Sequence, residues 1–239
     1  MLMKKLEKDL KSNLNVIKME IKYTKEFVIP GMTPKPIWNL HIERYKLASR
    51  FVKNSIVLDA ACGTGFGSQM MLEGGAKSVI GIDINEAALM YAKEAYDAEF
   101  LNMDVTDMKF DDNTFDVVVS FSTIEHLKNW KLFIESIKRI LKPSGILIIS
   151  VSNHKISLSK YKYHLTNFKK DEFIKLMKSN FSDVKVFGQG KWFFSFPGRG
   201  ILDDLLNIKR DISSISELSY PIDKEPYELI LISKNEKKA

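Results

Sequence analysis

The fold of this chain is indicated most clearly by residues 57–67, which read VLDAACGTGFG. A short apolar run ends at Asp59 and breaks into a turn with glycines at positions 63, 65 and 67. A second apolar run, residues 79–84 with the sequence VIGIDI, carries Asp83. A strand, a glycine turn, a helix and a second strand that ends in an acid are typical of α/β proteins that bind an adenosine-containing ligand. The stretch therefore predicts a nucleotide-like cofactor without saying which one.

The composition of the chain is that of an ordinary globular protein, with 239 residues, 45% apolar and 28% charged. No apolar run reaches the length of about 18 residues that a transmembrane helix needs, and the N-terminus lacks the apolar core of a signal peptide. The single cysteine, Cys62, excludes an internal disulfide and favours a cytoplasmic location. The net charge of +6 comes mainly from dispersed lysines. Because no basic cluster is interleaved with aromatic residues, a nucleic-acid partner is not expected.

Strand-like and helix-like segments alternate between residues 39 and 189. Apolar residues follow one another without interruption in 117–119 and 146–149, which predicts a parallel sheet covered by helices on both faces. The carboxyl ends of such strands lie along one edge, where ligands bind. The predicted helices are 39–53, 66–73, 86–96 and 130–142, and the predicted strands are 55–60, 78–84, 98–105, 115–121, 146–151, 183–188 and 227–233.

Two regions fall outside this alternation, although the whole of 1–239 is expected to form a single domain. Residues 1–38 are predicted to form an N-terminal arm ahead of the core at 39–189. Residues 190–226 are too long for an ordinary connection and include the aromatic stretch 192–197. This segment is predicted to be a substrate cap inserted before the last strand and tail, 227–239.

The spacing of the glycine turn argues against two familiar nucleotide sites. The dinucleotide fingerprint Gly-x-Gly-x-x-Gly fails, because its third position is Ser68 when counted from Gly63 and Met70 when counted from Gly65. A phosphate-binding loop would need a lysine in the turn, and there is none. The turn therefore favours a close backbone approach to a ligand less anionic than a pyrophosphate.

Six motifs in order and in register carry a resemblance over roughly residues 26–189; they are 59–67, 81–84, 102–105, 115–120, 124–127 and 141–145. Together they resemble a class I S-adenosylmethionine-dependent methyltransferase, with Ala61 standing where the family often has glycine. The resemblance implies an enzyme with S-adenosyl-L-methionine as cofactor. It also implies a doubly wound, Rossmann-like α/β fold: a seven-stranded sheet, mostly parallel, with an antiparallel last strand and helices on both faces.

The resemblance also implies the cofactor-binding residues, which are Asp59, Ala61, Gly63, Gly65, Asp83, Ile84, Asp104, Val105, Ser120 and Phe121. The glycine turn would meet the methionine part, and Asp83 would accept both ribose hydroxyls. Ile84 and Val105 would lie beside the adenine, whose exocyclic amine Asp104 would accept, and the pair 120–121 would line the path to the transferable methyl. Arg44 has a planar guanidinium suited to the cofactor's carboxylate.

Further motifs at 27–31, 41–45, 120–127 and 150–153 resemble a bacterial subgroup associated with polysaccharide and sugar modification. The leading hypothesis is thus methyl transfer to an oxygen or nitrogen of a small polar acceptor, a sugar or glycan precursor. Two alternatives stay open: a methyltransferase of a quinone-type or other aromatic metabolite, and a non-catalytic module that binds S-adenosylmethionine. The sequence leaves the oligomeric state open.

An alcohol or ammonium acceptor must lose a proton during transfer, and a histidine of near-neutral pKa suits that step. His164 is the first candidate, because the segment after the fifth strand faces the acceptor in this fold, and His126 is the second. His41 and His154 also fall near the predicted site. No metal site is expected, since the acidic triplet 111–113 has the composition of a turn.

Overall fold

A computed structural model describes residues 27–153, 164–189, 215–217, 226 and 228–236. Its elements in chain order are α1 (Lys35–Ser49), β1 (Ile56–Ala60), α2 (Phe66–Glu73), β2 (Ser78–Asp83), α3 (Glu86–Ala95), β3 (Glu99–Asn102), β4 (Phe115–Ser120), a 3-10 turn (Ile124–His126), α4 (Trp130–Ile140), β5 (Leu141–Ser152), α5 (Lys170–Asn180), β6 (Ser182–Gln189), β7 (Ile215–Glu217) and β8 (Glu228–Lys234). Residues 1–26 of the predicted arm, most of the predicted cap, its aromatic stretch and His154 lie outside the described residues.

The described strands form one sheet in the order β3-β2-β1-β4-β5-β8-β6-β7. The first five strands are parallel, and β8 runs antiparallel to both β5 and β6. The predicted fold class and the antiparallel last strand are therefore confirmed. One short strand was not predicted: β7 pairs with the edge of β6 and lies inside the segment 190–226.

Successive residues of the central strands pack into two separate cores, one on each face of the sheet. Leu58 and Val118 belong to the core that α4 and α5 cover, whereas Val57, Val117 and Val119 belong to the core under α1, α2 and α3. Uninterrupted apolar runs produce this arrangement, because neighbouring strand residues point to opposite faces.

Among the helix boundaries that differ from the prediction, two have clear local reasons. Helix α1 begins at Lys35 rather than at 39, since Pro34 caps it and Pro36 lies in its first turn, where a missing N–H costs nothing. Helix α4 ends at Ile140 rather than at 142, because Leu141 already pairs with Phe115 and begins β5. A register shift in β4 after that pair accommodates 142–145 at the strand's start.

The described residues contain no helix long and apolar enough to cross a membrane.

Candidate functional site

A cavity of about 620 Å³ opens at the carboxyl edge of β1, β2 and β4, where the fold predicts a ligand. Acidic and apolar residues at the ends of β2 and β3 line one end, and polar and apolar residues after β4, together with Leu165 after β5, line the other. The first end contains Asp83, Ile84, Asp104 and Val105; the second contains Thr123, His126, Leu127, Lys128, Asn129 and Leu165. A volume of this size is in the range of small-molecule sites.

The turn after β1 brings backbone to the cavity wall at Ala61 and Gly63. Both residues are left-handed, with φ of +66° and +55°. A Cβ on Gly63 would lie 3.2 Å from the ring of Phe27, which covers the turn from the N-terminal side. Ala61 holds a conformation that costs an L-residue about 1–3 kcal/mol, and such strain is concentrated at functional sites.

The other two glycines of the turn serve packing. A Cβ on Gly65 would lie 2.7 Å from both Phe100 and Ala92, and one on Gly67 would lie 2.0 Å from the ring of Tyr45. Among the described residues, Gly63 and Tyr45 line the cavity, whereas Gly65 and Gly67 do not. Gly65 thus allows helix α2 to approach its neighbours closely, and its predicted contact with the ligand stays a prediction.

Asp83 ends β2 with its carboxylate at the cavity, and it is 5% exposed. Its Oδ2 accepts a hydrogen bond from the Gly63 N–H at 2.8 Å, and its Oδ1 accepts from the Asn85 N–H at 2.9 Å. These bonds fix the carboxylate between the glycine turn and the start of α3. The next residue, Ile84, is 70% exposed and presents an apolar surface to the same cavity.

Asp104 and Val105 lie beyond the end of β3 and also line this end of the cavity. The Thr106 N–H and hydroxyl both donate to Asp104 Oδ1, at 2.7 and 2.8 Å. This local ring of hydrogen bonds orients the carboxylate. Asp83, Ile84, Asp104 and Val105, which were predicted separately, are thus brought together.

Asp59 is placed differently from the prediction. It is fully buried, and it accepts hydrogen bonds from Ser68 Oγ at 2.7 Å and from the Tyr45 hydroxyl at 3.2 Å. Burial raises the pKa of Asp59 to about 7, against the effect of those hydrogen bonds. Among the described residues, Tyr45 lines the cavity and Asp59 does not. Asp59 therefore acts on the site by holding Tyr45 in place.

Ser120 also lies behind the wall, where its hydroxyl donates to the Ala60 carbonyl at 2.9 Å and links β4 to β1. Among the described residues, Phe121 and Ser122 line the cavity after β4, whereas Ser120 does not. Ser122 is a third left-handed residue of the wall after Ala61 and Gly63, with φ of +50°.

Arg44 has a partner inside the protein. Its Nη1 lies 3.1 Å from Glu228 Oε1, and the two side chains are 2% and 1% exposed. Arg44 also donates to Gln189 Oε1 at 2.6 Å and to Ser122 Oγ at 2.8 Å. Ser150 Oγ donates to Glu228 Oε1 at 2.6 Å. The predicted pairing of Arg44 with a cofactor carboxylate is thus corrected: this guanidinium joins α1, β6 and β8 beneath the cavity.

The two candidate bases lie side by side. The rings of His126 and His164 are 4.9 Å apart at an angle of 83°. The backbone of Glu125 holds them together, because its carbonyl accepts from the N–H groups of Leu165 and Thr166. Among the described residues His126 lines the cavity and His164, the first candidate, stands beside it.

Two further groups at or beside the cavity have perturbed pKa values. Glu125 is 1% exposed, and burial together with the nearby Glu228 raises its pKa. In His41, which lines the cavity, burial and the positive charge of Arg44 lower the pKa well below its usual range. His41 is therefore a neutral ring at neutral pH.

Comparison with known proteins agrees with this geometry. Residues 58–149 match a family described as "Methyltransferase domain". The chain is similar to a "Probable S-adenosylmethionine-dependent methyltransferase" of Mycolicibacterium smegmatis, 29% identical over 141 residues, covering 58% of this chain and 54% of the relative. It is also similar to the "Ubiquinone biosynthesis O-methyltransferase" of Pelagibacter ubique, 30% identical over 145 residues, covering 59% of this chain and 55% of the relative. The chain thus spans about half the length of these curated relatives.

Among solved structures, a SAM-dependent methyltransferase from Archaeoglobus fulgidus superposes with a TM-score of 0.62 at 18% identity. The superposition covers 82% of this chain and 94% of that one. The sequence match over residues 58–149 and the sheet topology are therefore those of a methyltransferase domain. The comparisons agree with the predicted class, whereas they do not bear out the sugar-modifying subgroup.

Proposed function

We propose that this protein transfers a methyl group from S-adenosylmethionine to an oxygen or nitrogen of a small polar acceptor, in the first place a sugar or glycan precursor. The observation that carries the proposal is a single cavity with two chemically different ends. One end offers oriented carboxylates beside an exposed isoleucine, and the other offers a histidine, a lysine and an amide.

The donor end fits S-adenosylmethionine. Asp83 is held by two backbone N–H groups and keeps further acceptor capacity for ribose hydroxyls, because each carboxylate oxygen has two lone pairs. Ile84 would lie against the adenine, whose amine Asp104 would accept. The backbone at Ala61 and Gly63 would pass close to the methionine part, as their left-handed conformations support.

When bound, S-adenosylmethionine supplies a methyl group that its positive sulfur already activates. The chain's residues then need to orient the acceptor, exclude water and remove one proton, and orientation supplies much of the rate. His126 is the proton acceptor best supported by geometry, since it lines the acceptor end. His164 would keep the ring of His126 in position from behind.

A hydroxyl-rich acceptor is favoured by the polar groups of that end. Thr123, Lys128 and Asn129 together provide donors and acceptors that can pair with several hydroxyls at once. Unpaired polar groups in a closed site are costly, so such a wall selects polar acceptors. The resemblance of the outer motifs to sugar-modifying proteins supports the same class.

An aromatic metabolite of the quinone type is the second candidate. It is favoured by the Pelagibacter relative, which is named for ubiquinone biosynthesis. Leu127 and Leu165 at the acceptor end, the latter 63% exposed, would suit an apolar ring or tail.

The first experiment measures the binding of S-adenosylmethionine by titration calorimetry. We expect wild type to bind, Asp83→Asn to bind at least tenfold more weakly, and Asp111→Asn to match wild type, because Asp111 is an exposed turn residue remote from the cavity lining. Equal binding by Asp83→Asn and wild type would contradict the assignment of the donor end.

The second experiment follows tritiated methyl transfer into separate pools of sugar nucleotides, cell glycans and quinone precursors. Transfer to the first two pools supports the proposal, and transfer to the third supports the second candidate. Binding of the cofactor without transfer to any pool would favour a non-catalytic module. His126→Gln should lower the rate while leaving cofactor affinity unchanged.

A further inference from the structure

We propose that Glu125, His126 and His164 form a three-ligand site for a divalent transition metal of the Zn²⁺ type at the acceptor end of the cavity. A ligand atom from each residue lies within 4.8 Å of those from the other two. The sequence predicted no metal site: Glu125 and His126 are adjacent, but His164 is distant in the chain and joins them only in the fold.

The backbone around the cluster is already fixed. The Glu125 carbonyl accepts hydrogen bonds from Leu165 N–H at 2.9 Å and from Thr166 N–H at 3.0 Å. Thr166 Oγ1 also donates to the Leu127 carbonyl at 3.4 Å. The segment that carries His164 is thus attached to the 3-10 turn that carries the other two ligands. Bonds of about 2.1 Å to one ion would draw the ligand atoms to roughly 3.4 Å from each other, which side-chain rotation can achieve without moving the backbone.

The second observation is a buried carboxylate oxygen with unused capacity. Glu125 Oε1 accepts from the Ser152 N–H at 3.1 Å, whereas Oε2 has no hydrogen-bond partner among the described residues. Buried polar atoms are almost always paired, so such an exception points to an ion or group that completes it. The residue is 1% exposed.

The charges around Glu125 favour a cation there. Glu125 and Glu228 are both buried acids, and the single guanidinium of Arg44 pairs with Glu228. A metal ion bound to Glu125 would give this carboxylate the positive partner that Arg44 gives to Glu228.

Two imidazole nitrogens and one carboxylate oxygen suit first-row divalent metals, zinc above all, and do not suit magnesium or calcium. Three protein ligands leave at least one coordination position for another molecule. Since His126 lines the cavity, that position would face the acceptor. The role of the metal in the reaction rests on the proposed function. A metal-bound acceptor hydroxyl would lose its proton to solvent more readily. In this metal-bound form His126 acts as a ligand rather than as the base.

The test measures metal binding alone, so it does not depend on the proposed function. The full chain is first stripped with a chelator and then titrated with Zn²⁺ in competition with a chromogenic zinc indicator. We expect one high-affinity Zn²⁺ per chain and, with Co²⁺, a visible spectrum characteristic of bound nitrogen ligands. His164→Ala should weaken Zn²⁺ binding by more than tenfold, because loss of even an outer-shell partner costs 10- to 100-fold.

Glu125→Gln, which preserves shape while removing the charge, should weaken Zn²⁺ binding to a similar extent. His41→Ala is the matched control, since His41 lines the same cavity outside the cluster, and it should leave Zn²⁺ affinity unchanged. Circular dichroism establishes that each variant is folded. If wild type and His164→Ala bind Zn²⁺ equally, or wild type retains none, the metal site is refuted. Failure of S-adenosylmethionine binding would refute the proposed function and leave the metal measurement intact.

Discussion

The two ends of the cavity are constructed differently. At the donor end the functional carboxylates are held by backbone N–H groups of adjacent turns: Asp83 by Gly63 and Asn85, and Asp104 by Thr106. Beneath the acceptor end, Arg44 reaches Gln189 across 145 positions of the chain and meets Glu228 on another strand. The donor end therefore depends on neighbouring turns rather than on buried side-chain pairs, and changes there should affect binding more than stability. The acceptor end shares its support with the core, so changes there should affect both.

Breaking the long-range support should have the largest effect. Arg44→Met would leave Glu228 buried without its positive partner, and removal of one member of a buried pair costs about 3–5 kcal/mol. We expect the free energy of unfolding, measured by urea denaturation, to fall by that amount. A loss below about 1 kcal/mol would show that the network does not support the fold.

A surface ion pair on the same helix gives the matched control. Lys46 lies 2.8 Å from Glu43, and the two side chains are 60% and 37% exposed. Lys46→Met should change stability little, because exposed pairs contribute about 0–1 kcal/mol. Combining Arg44→Met with Glu228→Gln should cost less than the sum of the two single changes, with a coupling of about 0.5–3 kcal/mol.

At the donor end the expected loss is in affinity instead. Hydrogen bonds to a charged group contribute about 1.5–3 kcal/mol, so Asp83→Asn should weaken S-adenosylmethionine binding by roughly 10- to 100-fold. Asp104→Asn should have a smaller effect, because that carboxylate is exposed to water. Calorimetry beside urea denaturation separates the two quantities. Equal losses of stability in Asp83→Asn and Arg44→Met would remove the distinction between the ends.

The same difference explains what could be predicted from the sequence. Asp83 and Asp104 could be placed because strand ends follow from hydrophobic runs and parallel strands end at one edge, whereas Ile84 was implied by the family resemblance. Glu228 was missed as the partner of Arg44, because no local pattern links residues on α1 and β8. The available signal was the positive charge of Arg44 inside a helix that packs on the sheet. Such a charge indicates that a buried acid lies opposite the arginine.

The glycine turn gives a second example. Its spacing argued against a pyrophosphate site. Only the structure shows that Gly63 lies at the cavity, whereas Gly65 and Gly67 lack a Cβ where Phe100 and Tyr45 pack closely. Likewise, Asp59 was assigned to the ligand because it ends an apolar run. Its contact with Tyr45 depends on how α1 packs over α2, which the sequence does not encode locally.

Asp59 also provides a test based on pH. Its pKa is raised to about 7 in the folded protein, whereas its ordinary value is 3.8. Between these values the folded state binds more protons than the unfolded state, so this group's contribution to stability is greatest below pH 4 and declines as pH rises toward 7. Asp59→Asn removes that decline.

The measurement compares the urea midpoints of wild type and Asp59→Asn at pH 5 and pH 8. We expect wild type to lose stability relative to the variant at the higher pH. Asp111→Asn, in an exposed turn, should run parallel to wild type. If the Asp59 variant also runs parallel, the carboxylate is ionised throughout this range, and its buried position behind the wall needs another counter-charge.

The smallest expected effect concerns Ala61, where the local donor end stores backbone strain. With φ of +66°, Ala61 bears a left-handed cost of about 1–2 kcal/mol that glycine would not bear. Glycine also increases the freedom of the unfolded chain, which costs roughly 0.5–1 kcal/mol. Ala61→Gly should therefore raise the free energy of unfolding by about 1 kcal/mol or less.

Ala60→Gly is the control for this change, because Ala60 lies one residue earlier in strand β1, is fully buried and lacks a positive φ. It should destabilise the protein, since it adds chain freedom and removes a packed methyl group without relieving strain. Opposite signs at adjacent alanines would locate the strain at the cavity wall. If both changes destabilise equally, the turn is relaxed, and the close backbone approach at Ala61 arises from packing alone.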